Sequence, residues 1–161
     1  MRYGNFSSCS TGRSQVGNQA KPLYLHERES VQEINILIVE NHPDCRYLWE
    51  VLLQDYGAKV IAYGSIKEAL AALSDCVPDL LICEIRFPDE SIVPLIDRVK
   101  RIATDNNREI PITVTSTYAF TDFVYCFHYL AAEVSAYLLK PIDINDFVDT
   151  TLDLLHTKGR L

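Results

Sequence analysis

Short runs of aliphatic and β-branched residues alternate along this chain with longer stretches in which apolar positions return every three or four residues. Ile34-Asn-Ile-Leu-Ile-Val39 is the first short run and reads as a strand buried on both faces. Pro43 then suits the first turn of a helix, with Tyr47, Leu48, Val51 and Leu52 at helical spacing until Gly57 stops it. Lys59-Val-Ile-Ala-Tyr63 is the second strand. Ser65, with Glu68 three residues on, is an N-cap signature for a helix carrying Ile66, Ala69, Leu70 and Leu73. Pro78 resets the chain into a third strand, Leu80-Leu-Ile-Cys83.

The second half repeats the scheme. Leu95, Ile96, Val99 and Ile102 mark a helix, Ile110-Pro-Ile-Thr-Val-Thr115 a strand with Pro111 tolerable at its start, and Phe123, Phe127, Leu130 and Ala131 another helix. Ala136-Tyr-Leu-Leu139 is the fifth strand, and Ile144, Phe147, Val148, Thr151, Leu152 and Leu155 mark the last helix. Strands that alternate with amphipathic helices imply a parallel sheet covered on both faces, because helices must return the chain between parallel strands. The pattern predicts a doubly wound α/β domain.

In such a sheet, ligands collect beyond the carboxyl ends of the strands. The residues there are Glu40-Asn41-His42 after strand one, Glu84 after strand three, Ser116-Thr117 after strand four and Lys140-Pro141 after strand five. Acidic oxygens suit a hard cation such as magnesium, while a lysine and a serine suit phosphoryl oxygens. Nothing matches a Walker loop or the dinucleotide fingerprint, and the six glycines are spread thinly, which weighs against a nucleotide enzyme. No serine sits on a nucleophile elbow, so a catalytic triad around His42 is not credible.

From about Asn35 to His156 the order of features resembles the CheY-like receiver domain of bacterial response regulators. The segments that carry the resemblance are Ile36-Leu-Ile-Val-Glu-Asn-His-Pro43, Pro78-Asp-Leu-Leu-Ile-Cys-Glu-Ile-Arg-Phe-Pro88, Pro111-Ile-Thr-Val-Thr-Ser-Thr117 and Ala136-Tyr-Leu-Leu-Lys-Pro141. The resemblance implies a (βα)5 flavodoxin-like fold with strand order 2-1-3-4-5. It further implies that Glu40 and Asn41 match an acidic magnesium pair, Glu84 the phosphoacceptor, Ser116 and Lys140 the phosphate contacts, and Tyr137 the switch aromatic. The Lys140–Pro141 bond is expected to be cis.

Three departures from the family pattern stand out. Glu84 replaces an aspartate, which moves the carboxylate by about 1.5 Å, and a misplacement of about 1 Å can cost a hundredfold in rate. Asn41 removes a negative charge, so a magnesium site of Glu40, Asn41 and Glu84 is expected to be weak or absent. The loop Asp89-Glu-Ser-Ile92 lacks the family's glycines, and Glu133 stands at a helix end where glycine is usual. The expectation is an atypical receiver, not an enzyme, that acts by binding protein partners (an output protein or a sensor kinase) without phosphorylation. The first alternative is a phosphoaccepting relay receiver using Glu84, Asp79 or Asp89, and the second a small flavodoxin-like enzyme. Either Glu84 pairs with Lys140 and holds one signalling-competent state, or the site is vestigial.

Tyr118, Phe120, Phe123, Tyr125, Phe127 and Tyr129 crowd one short stretch. With Phe123 and Phe127 assigned to the core at i and i+4, Tyr118, Phe120, Tyr125 and Tyr129 are left as an interface around the fourth helix, fifth strand and fifth helix. Homodimerisation stays open.

Composition narrows the partners further. The 161 residues are 48% hydrophobic and 23% charged, with a net charge of −7 and a pI near 5.0. An acidic body does not favour nucleic acid or anionic membrane, and no apolar run is long enough to span a bilayer. The five scattered cysteines form no Cys-x-x-Cys pair, which fits reduced thiols in a cytoplasmic compartment and Cys83 as a small buried hydrophobe; the bacterial setting is what the family resemblance implies. Residues 1–33, poor in apolar periodicity and carrying a charge of +1 against −8 for the rest, read as a disordered tail in which Pro22-Leu-Tyr-Leu25 is a candidate docking motif. Residues 34–157 read as the receiver domain and 158–161 as a stub.

Overall fold

The computed structural model describes residues 33–119, 121 and 128–159. The expected tail up to residue 32, together with Phe120, Phe123, Tyr125 and Phe127 and the side chain of Tyr129, lies outside what is described.

Five parallel strands, β1 (Asn35–Val39), β2 (Lys59–Tyr63), β3 (Leu80–Glu84), β4 (Ile112–Ser116) and β5 (Ala136–Leu139), form one sheet in the order β2-β1-β3-β4-β5. The described helices are α1 (Pro43–Asp55), α2 (Ile66–Ala72), α3 (Val93–Asp105), α4 (His128–Ala131) and α5 (Ile144–Thr157). This is the doubly wound order expected from the sequence. β3 and β4 are buried at every position, as their apolar runs require, whereas the edge strands β2 and β5 are half-buried or exposed.

Alternation along the strands divides the core in two. Leu37, Val39, Leu81, Cys83, Ile112 and Val114 face α2 and α3, with Leu130 of α4 in the same cluster. Ile36, Ile38, Leu80 and Ile82 face α1 and α5, where Trp49 and Phe147 stack with ring centroids 4.1 Å apart.

The pattern over α1 requires a correction. The positions that announce the helix are not those that pack: Trp49 and Leu53 are buried, whereas Tyr47, Leu48 and Val51 are exposed at 69%, 44% and 43%. Apolar residues occur all round this helix, so periodicity alone does not select a face. The stack on Phe147 selects Trp49.

Capping follows the sequence more closely. Pro43 opens α1, and Gly57, at φ 96°, takes the left-handed conformation just after it. The Ser65 hydroxyl accepts from the Glu68 N–H at the start of α2. A second cap comes from outside the helix. Glu90, in the loop after β3, accepts from the N–H groups of Ile66 and Lys67, both at 3.0 Å, and so ties that loop to α2.

Candidate functional site

The site is assembled from four strand ends. Glu40 follows β1, Glu84 is the last residue of β3, Ser116 is the last residue of β4 and Lys140 follows β5. Glu84 and Ser116 therefore belong to the strands they were expected to follow. In the parallel register Val39 pairs with Cys83, Glu84 with Thr115 and Ser116 with Leu139. Residues far apart in the chain thus meet at one sheet edge. Glu40, Glu84 and Ser116 are all buried.

Lys140 stands between the two acids. Its Nζ donates to Glu40 Oε2 at 2.6 Å and to Glu84 Oε2 at 2.7 Å, and its side chain is 14% exposed. Backbone holds the other two oxygens: Glu40 Oε1 accepts from the His42 N–H at 2.9 Å, and Glu84 Oε1 from the Arg86 N–H at 3.1 Å. Burial alone would lower the Lys140 pKa, but the hydrogen bonds and charges of the two glutamates outweigh it and hold the ammonium above its usual range. Beneath the site the buried Cys83 thiol is pushed well up by desolvation, with the charges of Glu84 and Glu40 adding to the effect. That environment makes it inert.

The rim is a hydrogen-bonded surround. Asn41 donates its amide to the Arg86 carbonyl at 3.0 Å, and Arg46 donates to the Glu40 carbonyl at 2.6 Å. The Ser116 hydroxyl accepts from the Tyr118 N–H at 3.0 Å. Tyr137 donates its hydroxyl to the Tyr118 carbonyl. Arg86 donates to the Tyr118 hydroxyl, and its guanidinium carbon lies 4.7 Å from the centroid of that ring. Tyr118, 44% exposed, is thereby joined both to Ser116 and to Tyr137. The Lys140–Pro141 bond is cis, as expected.

Arg86 and Arg46 were not singled out in the sequence. Their partners are a phenol and backbone carbonyls, and apolar periodicity carries no signal for such contacts. Asp79, weighed as an alternative acceptor, lies at the opposite end of β3 in an ion pair with Arg108. Asp89 lies in the loop beyond Glu84 at φ 58°.

An ammonium already occupies the position between Glu40 and Glu84, the Asn41 amide is committed to a carbonyl, and no group of three or more acidic, histidine or cysteine side chains converges among the described residues. No described helix is long and apolar enough to cross a membrane.

Comparison with known proteins agrees with this architecture. An uncharacterized 14.6 kDa protein encoded 3′ of sodA1 in Leptolyngbya boryana is 30% identical over 115 residues, covering 71% of this chain and 85% of that protein. The transcriptional regulatory protein PhoP of Escherichia coli is 31% identical over 114 residues, 70% of this chain but 48% of PhoP. The chain spans only 27% of the transcriptional regulatory protein ZraR of Salmonella typhimurium, at 29% identity. Among solved structures, a sensor protein from Polaromonas superposes with TM-score 0.66 and 25% identity over 78% of this chain and 98% of that one. The response regulator TrrA of Thermotoga maritima, in complex with Mg2+–BeF, superposes with TM-score 0.63 and 21% identity over 76% and 99%. The family model for the response regulator receiver domain matches residues 36–151, and the chain belongs to that family.

Proposed function

We propose that this chain is an atypical two-component receiver that works without a phosphorylation cycle and signals by binding a protein partner. One observation carries the reading: Lys140 bridges the buried carboxylates of Glu40 and Glu84 at 2.6 and 2.7 Å. The longer acid in place of aspartate reaches the lysine directly, so negative charge is fixed where a phosphorylated aspartate would place it. Both Glu84 oxygens are engaged, one by Lys140 and one by the Arg86 N–H, and the ammonium lies between the two acids. The surrounding bonds from Ser116 and Arg86 through Tyr118 to Tyr137 support a single held arrangement rather than a vestigial cavity. The binding face is that of α4, β5 and α5, where Tyr118, Leu139 and Ile144 are exposed at 44%, 49% and 44%. The partner is an output protein or a sensor kinase, and the setting is cytoplasmic signalling.

Treatment with acetyl phosphate and magnesium tests the reading. The protein as it stands is expected to take up no label, and Glu84→Asp is the informative comparison. Labelling of that variant would show that acceptor geometry alone was lost, whereas an unlabelled variant would extend the loss to Asn41 and the lysine bridge. Label on Glu84 of the unaltered protein overturns the proposal.

A further inference from the structure

We infer that Arg86 is a positioning residue: it holds Tyr118, and through Tyr118 the hydroxyl of Tyr137, so that the loop after β3 sets the orientation of the aromatic on β5. The inference rests on the proposed function and deepens it, by naming what keeps the binding face in one arrangement without phosphate.

The strand ends bring the pair together. Glu84 and Ser116 close neighbouring strands, and Glu84 pairs with Thr115 in the register. Arg86 and Tyr118 each lie two residues further on, so they emerge side by side at the same sheet edge. Ile85 and Phe87 are buried in the α2/α3 core, while Arg86 between them is exposed. Its main chain is held as well: the N–H donates to Glu84 Oε1 at 3.1 Å, and the carbonyl accepts from the Asn41 amide at 3.0 Å. A guanidinium on so fixed a base has less freedom to lose when it engages a partner.

Tyr118 is exposed, so packing does not fix its ring. Its N–H donates to Ser116 Oγ at 3.0 Å, its hydroxyl accepts from Arg86, and its carbonyl accepts from the Tyr137 hydroxyl. Of these, the Arg86 contact acts on the ring, at the phenol oxygen and again over the face, where the guanidinium carbon lies 4.7 Å from the centroid. A planar guanidinium can stack and donate at once, which an ammonium cannot.

Together the contacts close a circuit. Glu84 Oε2 accepts from Lys140 Nζ, and the Lys140 N–H donates to the Ser116 carbonyl at 2.7 Å. Ser116 Oγ accepts from Tyr118, Tyr118 accepts from Arg86, and the Arg86 N–H returns to Glu84 Oε1. Without the Arg86 side chain the circuit opens between Glu84 and Tyr118, and the Tyr118 carbonyl no longer offers Tyr137 a fixed acceptor.

Three-bond couplings from the backbone nitrogen and carbonyl carbon to Cγ of Tyr137, which report its χ1 rotamer, test the inference in the full chain. The unaltered protein is expected to show one dominant rotamer. Arg86→Ala should raise the minor rotamers about two- to fivefold, the equilibrium equivalent of an exposed cation–π contact. Arg86→Lys should do the same, because it keeps the charge but not the planar fork. The urea midpoint of both should stay that of the parent, since the side chain is exposed. Tyr118→Ala should match Arg86→Ala, and combining the two should change nothing further. Parent-like couplings in Arg86→Ala overturn the inference, and so does a further change in the double variant, which would route the effect around Tyr118. No phosphodonor or partner enters the measurement, so label on Glu84 would remove the proposed function and leave this result standing.

Discussion

Two buried ion clusters close the sheet at its opposite edges, and they are balanced differently. At the amino edge Asp79 meets Arg108 at 3.1 Å and accepts from the Asn35 N–H at 2.8 Å, while Arg108 also donates to the Pro78 carbonyl. Among the described residues that cluster sets one carboxylate against one guanidinium, and it fastens β1 and β3 to the turn before β4. At the carboxyl edge two carboxylates share one ammonium, and Arg46 reaches Glu40 only at its carbonyl. A fold needing a staple is served by the first arrangement. The second keeps a negative charge that packing does not require, at the edge where this class of sheet binds ligands.

Removing the cation separates the two clusters most sharply. Lys140→Met leaves two buried acids facing each other and is expected to cost about 3–5 kcal/mol. Arg108→Met, at a side chain 22% exposed, should cost about 1.5–3 kcal/mol. Urea denaturation of both variants at neutral pH checks the order, and equal losses would erase the distinction.

Alkaline pH gives a smaller contrast. The folded pKa of Lys140 lies above the ordinary lysine value of 10.5, so the contribution of its contacts is complete below 10.5 and is lost as pH rises through the folded value. The stability difference between the parent and Lys140→Met should be flat from pH 7 to about 10 and shrink beyond. The Arg108 difference should persist there, because a guanidinium keeps its proton. Urea titrations at stepped pH distinguish the two.

The smallest effect is expected on the rim. Tyr137→Phe removes the exposed hydrogen bond to the Tyr118 carbonyl and should cost at most about 0.5–1.5 kcal/mol. Its informative readout is the fluorescence or NMR environment of Tyr118, which should change while Trp49, on the other face of the sheet, stays as it was.

Sequence reasoning reached furthest where one physical requirement dominated. Continuous apolar runs had to become buried strands, and a parallel sheet had to bring Glu40, Glu84, Ser116 and Lys140 to one edge. It reached less far where several solutions satisfied the pattern. Six apolar residues between Tyr47 and Leu53 allow more than one buried face of α1, and only contact with Phe147 decides. β4 begins at Ile112 rather than Ile110, with the Pro111 carbonyl accepting from Leu81 N–H just ahead of the strand. The Lys140 bridge lay within reach of the motif, since both acids and the lysine were already placed together. The part of Arg86 was not, because it depends on how one loop folds over Tyr118.

The reach of Glu90 to the first amides of α2 has a consequence for how this domain tolerates change. Surface loops ordinarily accept insertions at little cost, but here the carboxylate must arrive in register with two N–H groups on another element. One residue added between Phe87 and Glu90 displaces it by up to about 3.3 Å, beyond bonding distance of both. Length, more than composition, is what this connection has to preserve.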